Sequence, residues 1–308
     1  MTAEASPLVY VVILNWNGHA DTVECVRSCL TITYEPVRIL VVDNGSSDGS
    51  ERLLRSEFPE IEVIQTGANL GFAGGNNVGI RHALDHGANY ILLLNNDTLV
   101  DRDFVTPLVA IAAADCRVGM LCSKIFFHDA PDVIWFAGAH LRPLLGWNHH
   151  LGYGQVDDGR YDNVVETDRP TGCAMMVSKQ VCKAIGLLRE EMFCYAEDVD
   201  WGLRARNAGY KVVYVPTSKV WHKVTRSTGG VASPLSQYYS LRNMLLCLDL
   251  NLPLVFPLRV FRYVTVIGPY MTSALKLPGP RFRRLLAVIK GASHYFLGRF
   301  GPLDGPAL

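Results

Sequence analysis

A short run of apolar residues that breaks off in a polar cluster recurs along the first hundred residues of this chain and narrows its possible folds. Residues 91–94 (ILLL) stop at Asn95-Asn96-Asp97, residues 8–14 (LVYVVIL) at Asn15-Trp16-Asn17-Gly18, and residues 37–42 (VRILVV) at Asp43-Asn44-Gly45. Residues 61–64 form a shorter run of the same kind. Buried strands of a parallel sheet have this composition, and open sheets bind ligands beyond the carboxyl ends of their strands. Asp97 is then expected at a site. Asn and Asp are equally common in ordinary turns, where they bond their own backbone, so residues 91–99 alone leave both readings open.

The segments between these runs have helical spacing: residues 23–30, residues 50–58, and the stretch that leaves the glycine-rich Asn69–Asn77 and continues to about His86. Strands alternating with helices predict a doubly wound α/β sheet, mostly parallel, with helices on both faces. Beyond Arg117 the rhythm changes. Residues 118–127 are strand-like, and residues 135–154 are rich in Gly, His and aromatics, which suggests loops or a small antiparallel excursion beside a groove. Residues 173–177 read as a strand and 179–185 as a helix. Phe193-Cys194-Tyr195-Ala196-Glu197-Asp198-Val199-Asp200-Trp201 then opens a helix through Arg206, and residues 212–215 and Val220-Trp221-His222 close the globular part. Three acids in a first helical turn suit the helix dipole without any further role.

The 29 basic and 29 acidic residues balance, so the total does not call for a nucleic-acid partner. Eight cysteines lie without a Cys-x-x-Cys pair, as expected of reduced thiols in a cytoplasmic protein, and the N-terminal run lacks a basic leader. From about Pro234 the chain is helical and oily. After Leu250 it carries Arg259, Arg262, Lys276, Arg281, Arg283, Arg284, Lys290 and Arg299 against a single acid, Asp304. Its charge-free run, residues 263–275, falls short of the roughly 20 residues a spanning helix needs. A basic, interrupted apolar segment suggests a helical platform on an anionic membrane surface; a helical cap on the domain is the alternative. The expected division is residues 1–232 as the catalytic domain and 233–308 as this helical region.

In order, VVILNWNG, VVDNGSSDGS, NLGFAGGNNVGI, LLLNNDT, PTGCAMMVS, YAEDVDWGLRARNAGY and VWH resemble the motifs of glycosyltransferase family 2, the inverting nucleotide-sugar transferases of GT-A fold. The wording is similar to that of bacterial rhamnosyltransferases, with galactofuranosyltransferases as relatives; Tyr238-Tyr239 and Arg242-Asn243 fit that subgroup more loosely. The resemblance implies that Asp43 accepts a hydrogen bond from the uracil or thymine ring, with Asn15, Asn17 and Asn44 lining the same pocket. Gly71, Gly74, Gly75 and Asn76 would allow close approach of nucleotide or sugar. Asn95 and Asn96 would face the donor, and Asp97, where the family carries Asp-x-Asp, would bind a divalent cation, Mn or Mg, together with His222. Asn95 replaces the first acid of that motif, so Asp97 is the one anionic ligand it offers.

By the same correspondence Asp198 is the general base and Glu197 its partner in an acidic dyad. Asp200, one helical turn before Arg204, orients the site through a salt bridge. Phe193, Tyr195 and Trp201 are expected to offer a stacking floor for a sugar, Thr171 and Gly172 an acceptor-side loop. Trp135, Trp147, His149 and His150 are further acceptor candidates. Arg189 stands where the family often has Asp, which alters the expected acceptor contacts.

The expected protein is a metal-dependent inverting transferase, peripheral on the cytoplasmic face of the membrane. It would move L-rhamnose from dTDP-rhamnose to a lipid-linked saccharide. A UDP-sugar donor such as UDP-galactofuranose is the nearest alternative. A non-catalytic nucleotide-sugar-binding scaffold is the rival of another class, and retention of both Asp198 and His222 argues against it. Nucleotidyl transfer would call for a basic loop near the N-terminus, and VVILNWNG has no Lys or Arg.

Overall fold

A computed structural model describes residues 6–142, 144–224, 233–277 and 280–303, with the backbone alone at Trp147. Residues 1–5, the boundary expected at 232, Asp304 and the Trp147 side chain lie outside the described residues. In chain order the elements begin β1 (Val9–Asn15), α1 (His19–Cys29), β2 (Val37–Asp43), α2 (Ser50–Glu57), β3 (Glu62–Gln65), α3 (Gly71–Asp85), β4 (Tyr90–Asn95), β5 (Thr98–Val100) and α4 (Val105–Ala114). They continue as β6 (Val118–Phe127), β7 (Ala130–Phe136), β8 (Ala139–Arg142), β9 (Trp147–His150), β10 (Val165–Glu166), β11 (Ala174–Ser178), α5 (Lys179–Ile185), α6 (Glu197–Asn207) and β12 (Lys211–His222). Three helices end the described chain: α7 (Pro234–Asn251), α8 (Leu258–Lys276) and α9 (Arg281–Phe296).

Each apolar run forms a strand, and β3-β2-β1-β4 lie parallel. Parallel register brings the polar ends of the runs together: Asn15 is opposite Asp43, and Asn95 opposite Leu14. Side chains alternate between faces. Val9, Val11, Ile13 and Val41 cluster with apolar residues of α1, α2 and α4, while Tyr10, Val12, Leu40 and Val42 cluster with α3, α5 and α6.

The expected predominance of parallel pairing is corrected beyond β4. The sheet runs β10-β12-β6-β11-β4-β1-β2-β3, with β11 antiparallel to both β4 and β6. β12 is parallel to β6, whereas β5, β7 and β10 pair antiparallel, so the sheet is mixed. Apolar runs of this kind specify burial on both faces; strand direction is set by the connections and by which neighbour is available. β8 and β9 form a separate antiparallel hairpin, the excursion expected within residues 135–154.

The C-terminal helices are both a cap and an exposed surface. α7 begins with Ser233 as N-cap, its hydroxyl accepting from the Ser236 N–H, and Pro234 in the first turn. It is buried along most of its length, against α6 on one side and α9 on the other. Arg284, one of the basic residues on which the membrane expectation rested, is fully buried and closes the end of α8 through the Ala274 and Leu277 carbonyls. It is therefore withdrawn from any lipid contact. Arg262 is likewise buried and bonds Asp249 and the Leu252 carbonyl. Among the described residues, no helix is long and apolar enough to cross a membrane.

Candidate active site

β5 turns back from the end of β4 and pairs with the last residues of β12, placing His222 opposite Thr98. The Lys223 N–H then donates to the Asp97 carbonyl at 2.9 Å, and its ammonium is held by Asp21 and Glu24 on α1. This frame brings Asp97 Oδ1 to 3.1 Å from His222 Nε2, with both side chains almost wholly buried. Burial opposes ionisation of Asp97, but the bond and charge of His222 outweigh it and hold the carboxyl below its ordinary range. Burial also disfavours the imidazolium, while the Cys173 sulfur and the Asp97 carboxylate push His222 upward. The edge of Trp135, with ring centroids 4.8 Å apart, fixes the imidazole plane.

The pair fits a divalent cation shared with a substrate. Among the described residues, His222 Nδ1 is buried without a hydrogen-bond partner, and Asp97 Oδ1 has only the imidazole beside it. Their 3.1 Å spacing is that of an ion pair, and a cation bound between them would take the place of the proton they share. Among the described residues no group of three His, Cys, Asp or Glu side chains gathers. Asn95 lines the same cavity, and a divalent cation there would need further oxygen ligands, such as those of a phosphate.

The acidic dyad opens α6, after a loop of unusual backbone. Phe193, Tyr195 and Ala196 all have positive φ (65°, 69° and 68°), a conformation that costs a non-glycine residue on the order of 1–3 kcal/mol. Asn243 of α7 holds the loop: its amide donates to the carbonyls of Met192 (2.7 Å), Cys194 (2.8 Å) and Tyr195 (2.9 Å). Arg242 adds a bond to Met192 and stacks over Tyr238 and Tyr239. From the other side Gly71 (φ +73°) passes beneath Phe193, where a Cβ would lie 2.4 Å from the Phe193 carbonyl oxygen.

So held, Asp198 accepts from the Gly172 N–H at 2.9 Å and from the Val199 N–H at 2.8 Å, and Arg169 Nη1 stands 3.8 Å from its Oδ2. Glu197 is different. Burial, and then the charge of Asp198, push its carboxyl well above the ordinary range, and among the described residues its Oε2 has no hydrogen-bond partner. The two acids thus differ in surroundings: Asp198 accepts from two backbone N–H groups, whereas burial and the neighbouring charge disfavour ionisation of Glu197. Asp200 forms the expected bridge to Arg204 (2.7 Å) and also binds Arg189 (3.1 Å) and Asn251 (2.8 Å). Arg189 is thereby engaged with Asp200.

One cavity of about 420 Å³ brings together Asn95, Asp97, His222, Thr171, Gly172, Tyr195, Glu197 and Asp198. Trp135, His150 and Arg169 also line it. His150 is held neutral, pushed down to about 3 by burial and by the charge of Arg169. Trp201 corrects an expectation: it is fully buried against α5 and β11 residues with its indole donating to the Gly186 carbonyl, so it presents no face to a sugar.

The glycine-rich segment is also corrected. It forms the first turns of α3, and at Gly75 a Cβ would lie 2.5 Å from Leu14 Cδ1, so the absent side chain admits the sheet. Gly74 faces Leu70 in the same way, and Asn76 is buried with its amide on the Phe72 carbonyl. Asn44 is spent on Asn69, Leu70 and Gly71. Asp43 is fully buried, accepting from Asn15, Gln65 and the Ser46 N–H; Asn15 also accepts from Thr22. Asn17 is exposed beside them, bonded to Ser46 and Ser47, and Asn96 turns to Thr22.

Arg169 and Asn243 had no role in the sequence reading. A signal existed for each: Arg169 directly precedes the PTGCAMMVS motif, and Asn243 is an amide in a helix otherwise rich in Leu.

Residues 10–184 match the family described as Glycosyl transferase family 2. An N-acetylglucosaminyl-diphospho-decaprenol L-rhamnosyltransferase of Mycobacterium tuberculosis is 28% identical over 216 residues, covering 64% of this chain and 70% of that protein. The dTDP-rhamnosyl transferase RfbF of Shigella flexneri is 25% identical over 259 residues, covering 82% and 83%. Among solved structures, the mannosyltransferase PcManGT from Pyrobaculum calidifontis, in complex with GDP-Man and Mn2+, has a TM-score of 0.60 at 15% identity. It covers 96% of this chain and 89% of that one, a likeness of fold.

Proposed function

Because this chain belongs to glycosyltransferase family 2, we propose that it transfers a sugar, with inversion, from a nucleotide diphosphate to an acceptor hydroxyl at the cavity where Asp198 meets the Asp97–His222 pair. That single cavity carries the reading: it joins a supported carboxylate to a cation-binding pair. Asp198 takes the proton of the acceptor hydroxyl as its oxygen bonds to the anomeric carbon. The bond from that carbon to the diphosphate breaks in the same displacement. The Gly172 and Val199 N–H groups hold the base on both oxygens, and Glu197, whose ionisation burial opposes, would offer a hydrogen bond to a sugar hydroxyl. Asp97, His222 and Asn95 would hold the divalent cation, Mn or Mg, whose charge offsets that of the departing diphosphate.

The donor we assign is dTDP-L-rhamnose, supported by the names of the two relatives; Asp43, with Asn17 nearby, would lie at the nucleotide end. A lipid-linked saccharide is the acceptor we assign, supported by the decaprenol-linked relative. An exposed apolar stripe on α9 (Phe282, Leu286, Ile289, Phe296) beside Arg281 and Arg283 supports attachment to an anionic membrane surface. Assays of donor hydrolysis and transfer across dTDP- and UDP-sugars, with and without Mn, test this. Turnover of dTDP-rhamnose is expected. Turnover of UDP-sugars alone would overturn the donor, and binding of nucleotide sugar without any turnover would favour a scaffold.

A further inference from the structure

A second concavity, of about 610 Å³, lies between the β8–β9 hairpin and the helices α7 and α8. Asn148, Met244 and Tyr270 line both this groove and the catalytic cavity, so the two adjoin along a shared wall. Asn148 accepts from Arg169 Nε at 2.5 Å, and Arg169 in turn faces Asp198, so this wall is tied to the base. The hairpin is fastened over α8: the Thr265 hydroxyl donates to the Leu144 carbonyl at 3.3 Å. Gly146, at φ +65°, fits where a Cβ would lie 2.1 Å from Val266 Cγ2.

The groove has two chemical sides. The hairpin supplies Arg142 and His149, and α8 supplies the apolar Val266 and Pro269 with Tyr270. Beyond Thr265, α8 continues into the exposed side chains of Val264 (66% exposed) and Phe261. An edge bearing a guanidinium and an imidazole over an apolar floor, leading from an exposed apolar helix face to a carboxylate, matches a molecule with an anionic, an apolar and a hydroxyl-bearing part in that order.

We propose that this groove binds the acceptor: a saccharide whose hydroxyl reaches Asp198, joined through an anionic phosphate or diphosphate, facing Arg142 and His149, to an alkyl chain lying on α8. The assignment rests on the cavity being the transfer site, and it adds the path by which an amphipathic acceptor enters. Hairpin and α8 are then one binding unit, although about 120 residues separate Leu144 from Thr265 in the chain.

Equilibrium binding tests this without requiring turnover. The probe is an alkyl diphospho-N-acetylglucosamine, with methyl N-acetylglucosaminide as the arm lacking linker and chain and an alkyl diphosphate as the arm lacking sugar. The full chain is expected to bind the complete probe more tightly than either part. Thr265→Trp, which fills the groove, and Arg142→Ala/His149→Ala, on the hairpin, are each expected to weaken it at least about tenfold. The double variant serves where the tryptophan disturbs folding. Binding of the probe unchanged in both, or absent from the wild type, would overturn the groove. Groove-dependent binding in a protein that hydrolyses no nucleotide sugar would leave the groove standing and overturn the transferase reading instead.

Discussion

His222 Nε2 lies 3.1 Å from Asp97 Oδ1, although about 125 residues separate the two in the chain. The β5–β12 pairing and the Lys223–Asp97 backbone bond hold them there. Asp97→Ala is expected to abolish Mn-dependent transfer and to weaken Mn binding in the presence of nucleotide diphosphate, read by calorimetry. Full activity in this variant would place the cation elsewhere.

The two acids of the dyad differ in their hydrogen bonding and burial. Asp198→Asn removes the base and is expected to lower kcat by about 10²–10⁴-fold while donor binding survives. Glu197→Gln preserves a neutral hydrogen-bonding group and is expected to keep transfer within about tenfold of wild type. The reverse pattern in steady-state kinetics would exchange the two roles.

Glu197 also makes stability depend on pH. The fold raises its carboxyl above the unfolded value, so the folded state retains a proton that the unfolded chain releases. Its contribution is complete below the unfolded pKa and declines as pH rises toward the folded one, by at most about 1.4 kcal/mol per pH unit. Urea denaturation between about pH 5 and 8 should show wild type losing stability relative to Glu197→Gln. Parallel curves would mean that Glu197 is ionised in the fold.

Asn243 donates to three carbonyls of the loop that presents the dyad. Asn243→Ala leaves these acceptors buried and relaxes residues at positive φ, with an expected loss of about 2–4 kcal/mol in stability. Transfer should fall more than nucleotide binding does, since the loop carries Tyr195, Glu197 and Asp198. Equal losses in both would make Asn243 a general packing residue.

On α9 the exposed apolar stripe predicts a surface effect. Phe282→Ser with Ile289→Ser should reduce flotation with anionic vesicles and leave the melting temperature nearly unchanged, because both side chains are exposed. Undiminished flotation would remove α9 as the contact.

The sequence by itself determined the β1–β4 core and put Asp97 at the end of one of its strands; that His222 and Asp198 share a cavity with it was implied only by the family resemblance. Apolar runs report burial directly, and a polar break reports a strand end. Tertiary structure decided the direction of β11, the burial of Trp201 and Arg284, the packing role of Gly75 and the hold of Asn243 on the loop before α6. Each depends on a partner far along the chain, and local periodicity says which face of an element is apolar without saying what will cover it.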